Sequence, residues 1–297
     1  MRNHLTLRRL AVVLAATACV GATTSCSGSD DSSGAGESGA PAISTAEDSG
    51  TYLALGDSVP FGYRGGEQDA YSDPDNFVGY PEMVGEELGL AVLNAACPGE
   101  TTTSFLDAEA QSNGCQNVLG SPFGYRTAYP LHVQYDSQDQ SQMNLAVQTL
   151  QENDDVELVS IQIGANDAFL CQQTTPDACT APASLQGVAQ AVQTNLDRIL
   201  KTLRNEAGYD GQIVVVTYYA LDYSNSTGAA TQLLGQGISQ VAQANDADVA
   251  DGYAAFQSTA TASGGDSVAA GLVLPDDVHP TEQGQQLLAE AVLEAVE

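Results

Sequence analysis

Three histidines occur in the 297 residues, His4, His132 and His279, so imidazole chemistry has few places to sit. His279 stands in Pro275-Asp276-Asp277-Val278-His279-Pro280-Thr281. A carboxylate three residues upstream, Asp276, can fold back on the ring within one turn. It would fix the imidazole tautomer and stabilise the imidazolium formed when the ring takes a proton. His132, between Leu131 and Val133, has no such neighbour and reads as structural. The group that a base would serve is Ser58, at the end of Gly56-Asp57-Ser58. A serine hydroxyl is inert at neutral pH until a base takes its proton. Acyl transfer further requires donors aimed at the developing oxyanion. The backbone N–H groups of Ser58 and Gly99 and the side-chain amide of Asn166 are candidates, because each follows a predicted strand end. Singly, each feature is ordinary: Asp-x-x-His arises by chance in surface loops, glycines make turns and asparagines cap them.

These groups need a scaffold that gathers distant segments. Residues 51–55 form an apolar, β-prone run that stops abruptly at Gly56-Asp57-Ser58 and enters Val59-Pro60-Phe61-Gly62-Tyr63. Such a run predicts a buried strand that hands its serine to the carboxyl edge of a sheet, where open α/β sheets bind ligands. Residues 90–93 predict a second strand, leading into Cys97-Pro98-Gly99. Residues 156–163 predict a third, with Val159, Ile161 and Ile163 on one face, Ser160 and Gln162 on the other, and an exit at Gly164-Ala165-Asn166-Asp167. The β-branched run 213–216 reads as a fully buried strand, and residues 249–256 as a weaker one. Helical periodicity falls between them: near 80–88, closed by Gly89; at Met143, Val147 and Leu150; and over a long stripe of Leu185, Val188, Val192, Leu196, Ile199 and Leu203, N-capped by Ser184. Residues 231–245 and a closing helix capped by Thr281 complete the alternation. The closing helix is expected to turn Leu287, Leu288, Ala291, Val292 and Val296 inward. Strands alternating with helices imply βαβ crossovers and a parallel sheet covered on both faces. The polar, aromatic stretch 107–136 has no period and is expected to form functional surface or to cover the site.

The first 25 residues read as an export signal. Arg2, Arg8 and Arg9 precede a short run of apolar and small residues ending in Thr23-Thr24-Ser25-Cys26. That ending resembles a bacterial lipobox, which implies cleavage before Cys26 and lipid attachment to its thiol; Cys19 is a weaker candidate. Residues 26–50 are Ser-, Gly- and acid-rich and read as a flexible tether, so the folded domain is expected at 51–297. The product would be secreted and anchored to the outer face of the cell membrane through that lipid alone. Three of the eight cations precede Cys26, leaving five against 38 acids, a formal charge of −33. Such a surface argues against nucleic acid and against anionic lipid head groups as partners. Cys97, Cys115, Cys171 and Cys179 form an even set in an exported chain and point to two disulfides. Three connectivities are possible, and proximity favours Cys97–Cys115 and Cys171–Cys179. Neither pair has zinc-ligand spacing and no histidine lies near.

Gly-x-Ser-x-Gly, P-loop and HExxH signatures are absent and no dinucleotide fingerprint follows a predicted strand, so no cofactor or metal is expected. The ordered set that is present comprises Gly56-Asp57-Ser58, Gly99, Gly164-Ala165-Asn166-Asp167 and Asp276-Asp277-Val278-His279-Pro280. It resembles the four sequence blocks of the SGNH (GDSL-type) hydrolases, over residues 51–296. The resemblance implies a flavodoxin-like three-layer α/β/α fold with a parallel central sheet. It implies Ser58 as nucleophile, Ser58, Gly99 and Asn166 as oxyanion donors, and His279 as base. The family's spacing selects Asp276 over Asp277 as the partner of that base. Cys171–Cys179 resembles a disulfide of exported actinobacterial members. The expected activity is hydrolysis of carboxylic esters, with a small ester or lipid as substrate. Sugar O-deacetylation or acyl transfer on the same fold, and a ligand-binding lipoprotein without catalysis, are the alternatives.

Overall fold

Five short apolar runs become the strands of one sheet in the computed structural model, which describes residues 50–66 and 68–296. The expected signal segment, Cys26 and the expected tether up to residue 49 lie outside the described residues. The strands are β1 (Thr51–Gly56), β2 (Ala91–Asn94), β3 (Val156–Gln162), β4 (Gln212–Val216) and β5 (Asp248–Ala250). All pair in parallel, in the order β2-β1-β3-β4-β5. This is the flavodoxin-like order, with its switch point beside β1. Leu53 lies opposite Leu93 on one side and Val159 on the other, and Val159 lies opposite Ile213. Parallel neighbours need crossovers, and helices supply them.

The helices among the described residues are α1 (Tyr80–Leu88), α2 (Thr102–Leu106), α3 (Tyr125–Ala128), α4 (Gln142–Glu152), α5 (Ala165–Thr174), α6 (Pro182–Asn205), α7 (Ser226–Ala244), α8 (Gly252–Ala262) and α9 (Glu282–Ala295). Two 3₁₀ turns, Gln68–Ser72 and Pro74–Asn76, come after the Ser58 turn. The period of two along β1 separates the two cores. Leu53 and Leu55 pack with Val159, Ile161, Ile213 and Val215 against α4, α6 and α7, through Leu196, Ile199, Leu200 and Ile238. Tyr52 and Ala54 pack with Leu158, Val214 and Val216 against α1, α8 and α9, through Tyr80, Phe256, Leu288 and Val292. The result is a three-layer α/β/α sandwich. A third, smaller cluster of Phe61, Phe77, Cys97, Cys115, Tyr125 and Leu131 lies under the loops beyond β1 and β2. Among the described residues, no helix is long and apolar enough to cross a membrane.

The helices α2, α3 and α5 were not expected from sequence, α7 begins at Ser226 rather than near residue 231, and three further differences have a local cause. The fifth strand has only three paired residues. The chain then enters α8, because the Asp251 carboxylate accepts from Ala254 N–H and caps a helix whose buried residues Tyr253, Phe256 and Ala260 recur at helical spacing. The long helix α6 begins at Pro182, two residues before the expected cap at Ser184, since proline is preorganised for the first turn. Leu185 then projects beyond the core and stays exposed. On α9, Gln285 and Ala289 are buried beside Leu288 and Val292, while Leu287 and Ala291 are only partly covered. The Gln285 side chain accepts from Tyr80 N–H and donates to the Val59 carbonyl, tying α9 to α1 and to the Ser58 turn.

Candidate active site

β1 ends in a residue with φ +133, Gly56, where a Cβ would stand 2.0 Å from the Gln162 carbonyl oxygen. Only glycine lets the chain leave the sheet there. The Gln142 side chain grips both sides of that peptide, accepting from Gly56 N–H at 2.6 Å and donating to its carbonyl at 3.0 Å. The chain then winds through a tight turn in which Tyr63 N–H returns to the Ser58 carbonyl and Gly62 N–H to that of Val59. The Asp57 carboxylate points inward, accepting from Val59 N–H, from the Tyr218 hydroxyl at 2.5 Å and from the Asn166 side-chain amide at 3.2 Å. Burial pushes Asp57 up to about 7 despite these three donors. Ser58, its neighbour, engages a different partner.

His279 arrives on the loop between α8 and α9. An antiparallel bridge between Val273 and Pro280 closes that loop, and the Tyr219 hydroxyl holds the Val278 carbonyl at 2.6 Å. Here His279 Nε2 lies 2.9 Å from Ser58 Oγ, bringing together residues 221 apart in sequence. On the other edge of the ring, Nδ1 lies 2.5 Å from Asp277 Oδ1. Nδ1 therefore donates to the carboxylate, which leaves the Nε2 lone pair facing the serine hydroxyl. Burial holds the imidazole below its ordinary 6.5, although the charge and hydrogen bond of Asp277 pull the other way. Burial also pushes Asp277 up. The imidazolium charge, its hydrogen bond and the N–H groups of Val278 and Gly65 outweigh that, and the carboxyl sits below its ordinary range.

The expectation that Asp276 pairs with His279 is corrected by this geometry. Asp276 adopts the left-handed region at φ +56, is exposed, and makes no hydrogen bond to the ring. Its backbone reversal lets Asp277, one residue closer, fold its carboxylate over the following N–H groups of Val278 and His279. That Asx-type closure brings Oδ1 to the ring. Oδ2 accepts from Gly65 N–H at 3.2 Å, and the Tyr63 ring packs edge-on against His279 at 4.7 Å. The loop after the Ser58 turn thus steadies the pair from above.

The other expected residues meet at the same sheet edge. Cys97 N–H donates to the Gly56 carbonyl, which seats the turn bearing Gly99 beside the Ser58 turn. Gly99 has φ +83, and a Cβ there would stand 2.3 Å from Gly114 Cα. Asn166, in the first turn of α5, reaches Asp57 from the other side. Among the described residues, no acceptor engages the backbone N–H of Ser58 or of Gly99. The two N–H groups are thus unoccupied at this sheet edge, and the Asn166 amide is tied to Asp57, the residue before the serine. His132 stands apart, its ring packed on Phe61 at 4.6 Å and Nε2 near the Phe61 carbonyl.

The disulfides are Cys97–Cys115 and Cys171–Cys179, the pairing that proximity favoured. Among the described residues, one group of metal-ligating types comes together, Cys97, Glu100 and Cys115, but its two sulfurs are joined as the first disulfide. Sequence reasoning missed Asp277 as the ring's partner, Tyr218 as a donor to Asp57, Gln142 as the clamp on Gly56, and Asn113, which bonds to Asn166. Only Asp277 left a sequence signal, its place beside Asp276.

The model of the GDSL-like lipase/acylhydrolase family matches residues 54–287. No curated protein matches the sequence. Among solved structures, phospholipase A1 from Streptomyces albidoflavus NA297 is 21% identical with a TM-score of 0.55, covering 84% of this chain and 100% of its own. A catalytic mutant of the acetylxylan esterase Axe2 from Geobacillus stearothermophilus is 17% identical with a TM-score of 0.54, covering 83% and 93%. The lipase Lip_vut3 from a goat rumen metagenome is 18% identical with a TM-score of 0.54, covering 82% and 96%. At these identities the likeness is one of fold, and all three structures share it. Since the family model spans most of the chain and every block that carries it, the protein belongs to the GDSL-like lipase/acylhydrolase family and is a carboxylic ester hydrolase.

Proposed function

We propose that this protein is an exported serine esterase that hydrolyses carboxylic esters through an acyl-enzyme on Ser58. The observation that carries the proposal is the 2.9 Å separation of Ser58 Oγ from His279 Nε2, with Asp277 on the far side of the ring. As Ser58 Oγ bonds to the ester carbonyl carbon, its proton passes to Nε2 and the carbonyl π pair moves onto oxygen. The N–H groups of Ser58 and Gly99 and the Asn166 side chain receive that oxyanion. Asp277 stabilises the imidazolium and keeps the ring oriented. The oxyanion collapses, the alkoxide leaves, and the Nε2 proton goes to it. Water then attacks the acyl carbon, giving its proton to Nε2. The acid departs and the proton returns to Ser58.

Export and a lipid on Cys26 belong to the same proposal, supported by the cationic leader, the Thr23-Thr24-Ser25-Cys26 ending and the acidic tether. The named structural relatives include a phospholipase, a lipase and an acetylxylan esterase. Acyl length and alcohol are therefore the variables to scan. Turnover of p-nitrophenyl esters from acetate to palmitate, beside acetylated xylo-oligosaccharides, is expected to give saturable hydrolysis in at least one series. Substitution Ser58→Ala should abolish it; turnover unchanged in that variant would refute the proposal.

A further inference from the structure

We infer that Asn113 is a positioning residue that sets the oxyanion donors of this site, an inference that rests on the acyl-enzyme reading above. Asn113 is half-buried in the segment between α2 and α3 and bonds in three directions. Its backbone N–H donates to the Gly99 carbonyl at 2.9 Å. Its side-chain Nδ2 donates to Asn166 Oδ1 at 2.8 Å. Its Oδ1 accepts from Gln173 Nε2 at 2.7 Å. Gln173 and Asn166 lie seven residues apart on α5, two turns along one face. One residue thus spans that face with its side chain and holds the Gly99 carbonyl with its backbone N–H.

The consequence for Asn166 comes from amide chemistry. A primary amide has one acceptor end and one donor end, and a flip exchanges them. Here the acceptor end receives Asn113, while the donor end gives one N–H to Asp57. The flipped amide would set its oxygen against the Asp57 carboxylate and its NH₂ against that of Asn113. With Asp57 ionised both contacts are repulsive, so the amide keeps its NH₂ end on the Asp57 side, with its second Nδ2 hydrogen free of any acceptor among the described residues. The amides of Gln173, Asn113 and Asn166 donate in one direction and end on the Asp57 carboxylate. Such a chain polarises each member in the same sense.

Covalent structure keeps Asn113 in place. Gly114 is so close to Gly99 that a Cβ on it would lie 3.2 Å from Gly99 Cα, and Cys115 is bonded to Cys97. The disulfide staples the segment onto the turn that it orders. No other element in the described chain reaches both Gly99 and Asn166 with hydrogen bonds.

The test is a mutant cycle read in steady-state kinetics on a p-nitrophenyl ester that the wild type turns over. Loss of an oxyanion donor costs about 10²–10³-fold in kcat, which is the expectation for Asn166→Ala. For Asn113→Ala we expect a fall of about tenfold or more in kcat, bounded by that loss, with KM within about twofold. In the Asn166→Ala background the same substitution should change kcat by less than about twofold, because the Asn113 side chain acts through Asn166 and its backbone bond to Gly99 survives the substitution. Gln173 is exposed, so Gln173→Ala carries little folding risk. It should lower kcat by about threefold and lose that effect in the same background. Melting curves and a thiol titration with no free thiol would certify the folded, disulfide-closed state of each variant. Wild-type kcat in both single variants overturns the inference, as does a loss that persists at full size in the Asn166→Ala background. If those results appear while Ser58→Ala is inactive, the esterase reading stands and the positioning inference alone fails. If Ser58→Ala stays active, the reading itself has failed.

Discussion

The carboxylate that meets His279 Nδ1, at 2.5 Å, belongs to Asp277, two residues upstream of the ring. Asp276 turns away in a left-handed conformation. Substituting an asparagine at the orienting position offers the ring a donor where it needs an acceptor and favours the wrong tautomer. We expect Asp277→Asn to lower kcat by about 10²–10⁴-fold. Asp276→Asn tolerates the left-handed backbone and sits on the surface, so kcat should stay within about twofold. The paired kinetics check the assignment. A large loss confined to Asp276→Asn would reverse it.

The ring must be neutral to accept the serine proton. Because burial holds His279 below 6.5, its charged form appears only at lower pH than for a free imidazole. Activity should hold from neutral pH down through 6.5 and decline below it. A kcat/KM profile with its acid limb above about pH 7 would contradict this. The same depression makes the unfolded chain the better proton acceptor as pH falls through 6.5, so His279 subtracts stability on that side.

Two buried carboxylates act in the opposite sense. Burial pushes Asp57 and Glu100 up to about 7 from ordinary values of 3.8 and 4.5. The folded state then binds the proton more tightly than the unfolded state. The stabilisation is full below the ordinary values and is lost as pH rises through about 7. Tm should therefore fall between about pH 5 and pH 8. Glu100 accepts from Ser104 and Gln142, and Gln142 also clamps Gly56. In Glu100→Gln the fall in Tm across that interval should be smaller than in the wild type. An equal or steeper fall would show that Glu100 does not titrate there.

Much of this site was legible in the sequence because local signals and global fold agree. An apolar strand that stops at Gly56-Asp57-Ser58 places its serine at the sheet edge. The run from β3 into Gly164 and Asn166 does the same for an amide. The scarcity of histidine singled out His279, and a helix cap at Thr281 marked where its loop ends. The parts that were not legible depend on backbone reversals and on contacts at long sequence separation. The choice between Asp276 and Asp277 turns on one left-handed residue. Tyr218 and Asp57 are 161 residues apart, and no periodicity announces their bond. Asn113 sits in a stretch without secondary structure, where the disulfide to Cys97 and the contact of Gly114 with Gly99 decide its position. The end of β5 was misread because Tyr253 and Phe256, β-prone by type, follow Val249 closely; the cap at Asp251 outweighs that preference.

Covalent trapping tests the assignment of Ser58 as nucleophile most directly. A fluorophosphonate carries a phosphorus that an activated serine oxygen attacks with loss of fluoride, and mass spectrometry locates the adduct. The expected result is one phosphonyl group on the peptide bearing Ser58, blocked turnover in the labelled protein, and neither adduct nor turnover in Ser58→Ala. An intact Ser58 in an inhibited enzyme, with the adduct on another residue, would contradict it.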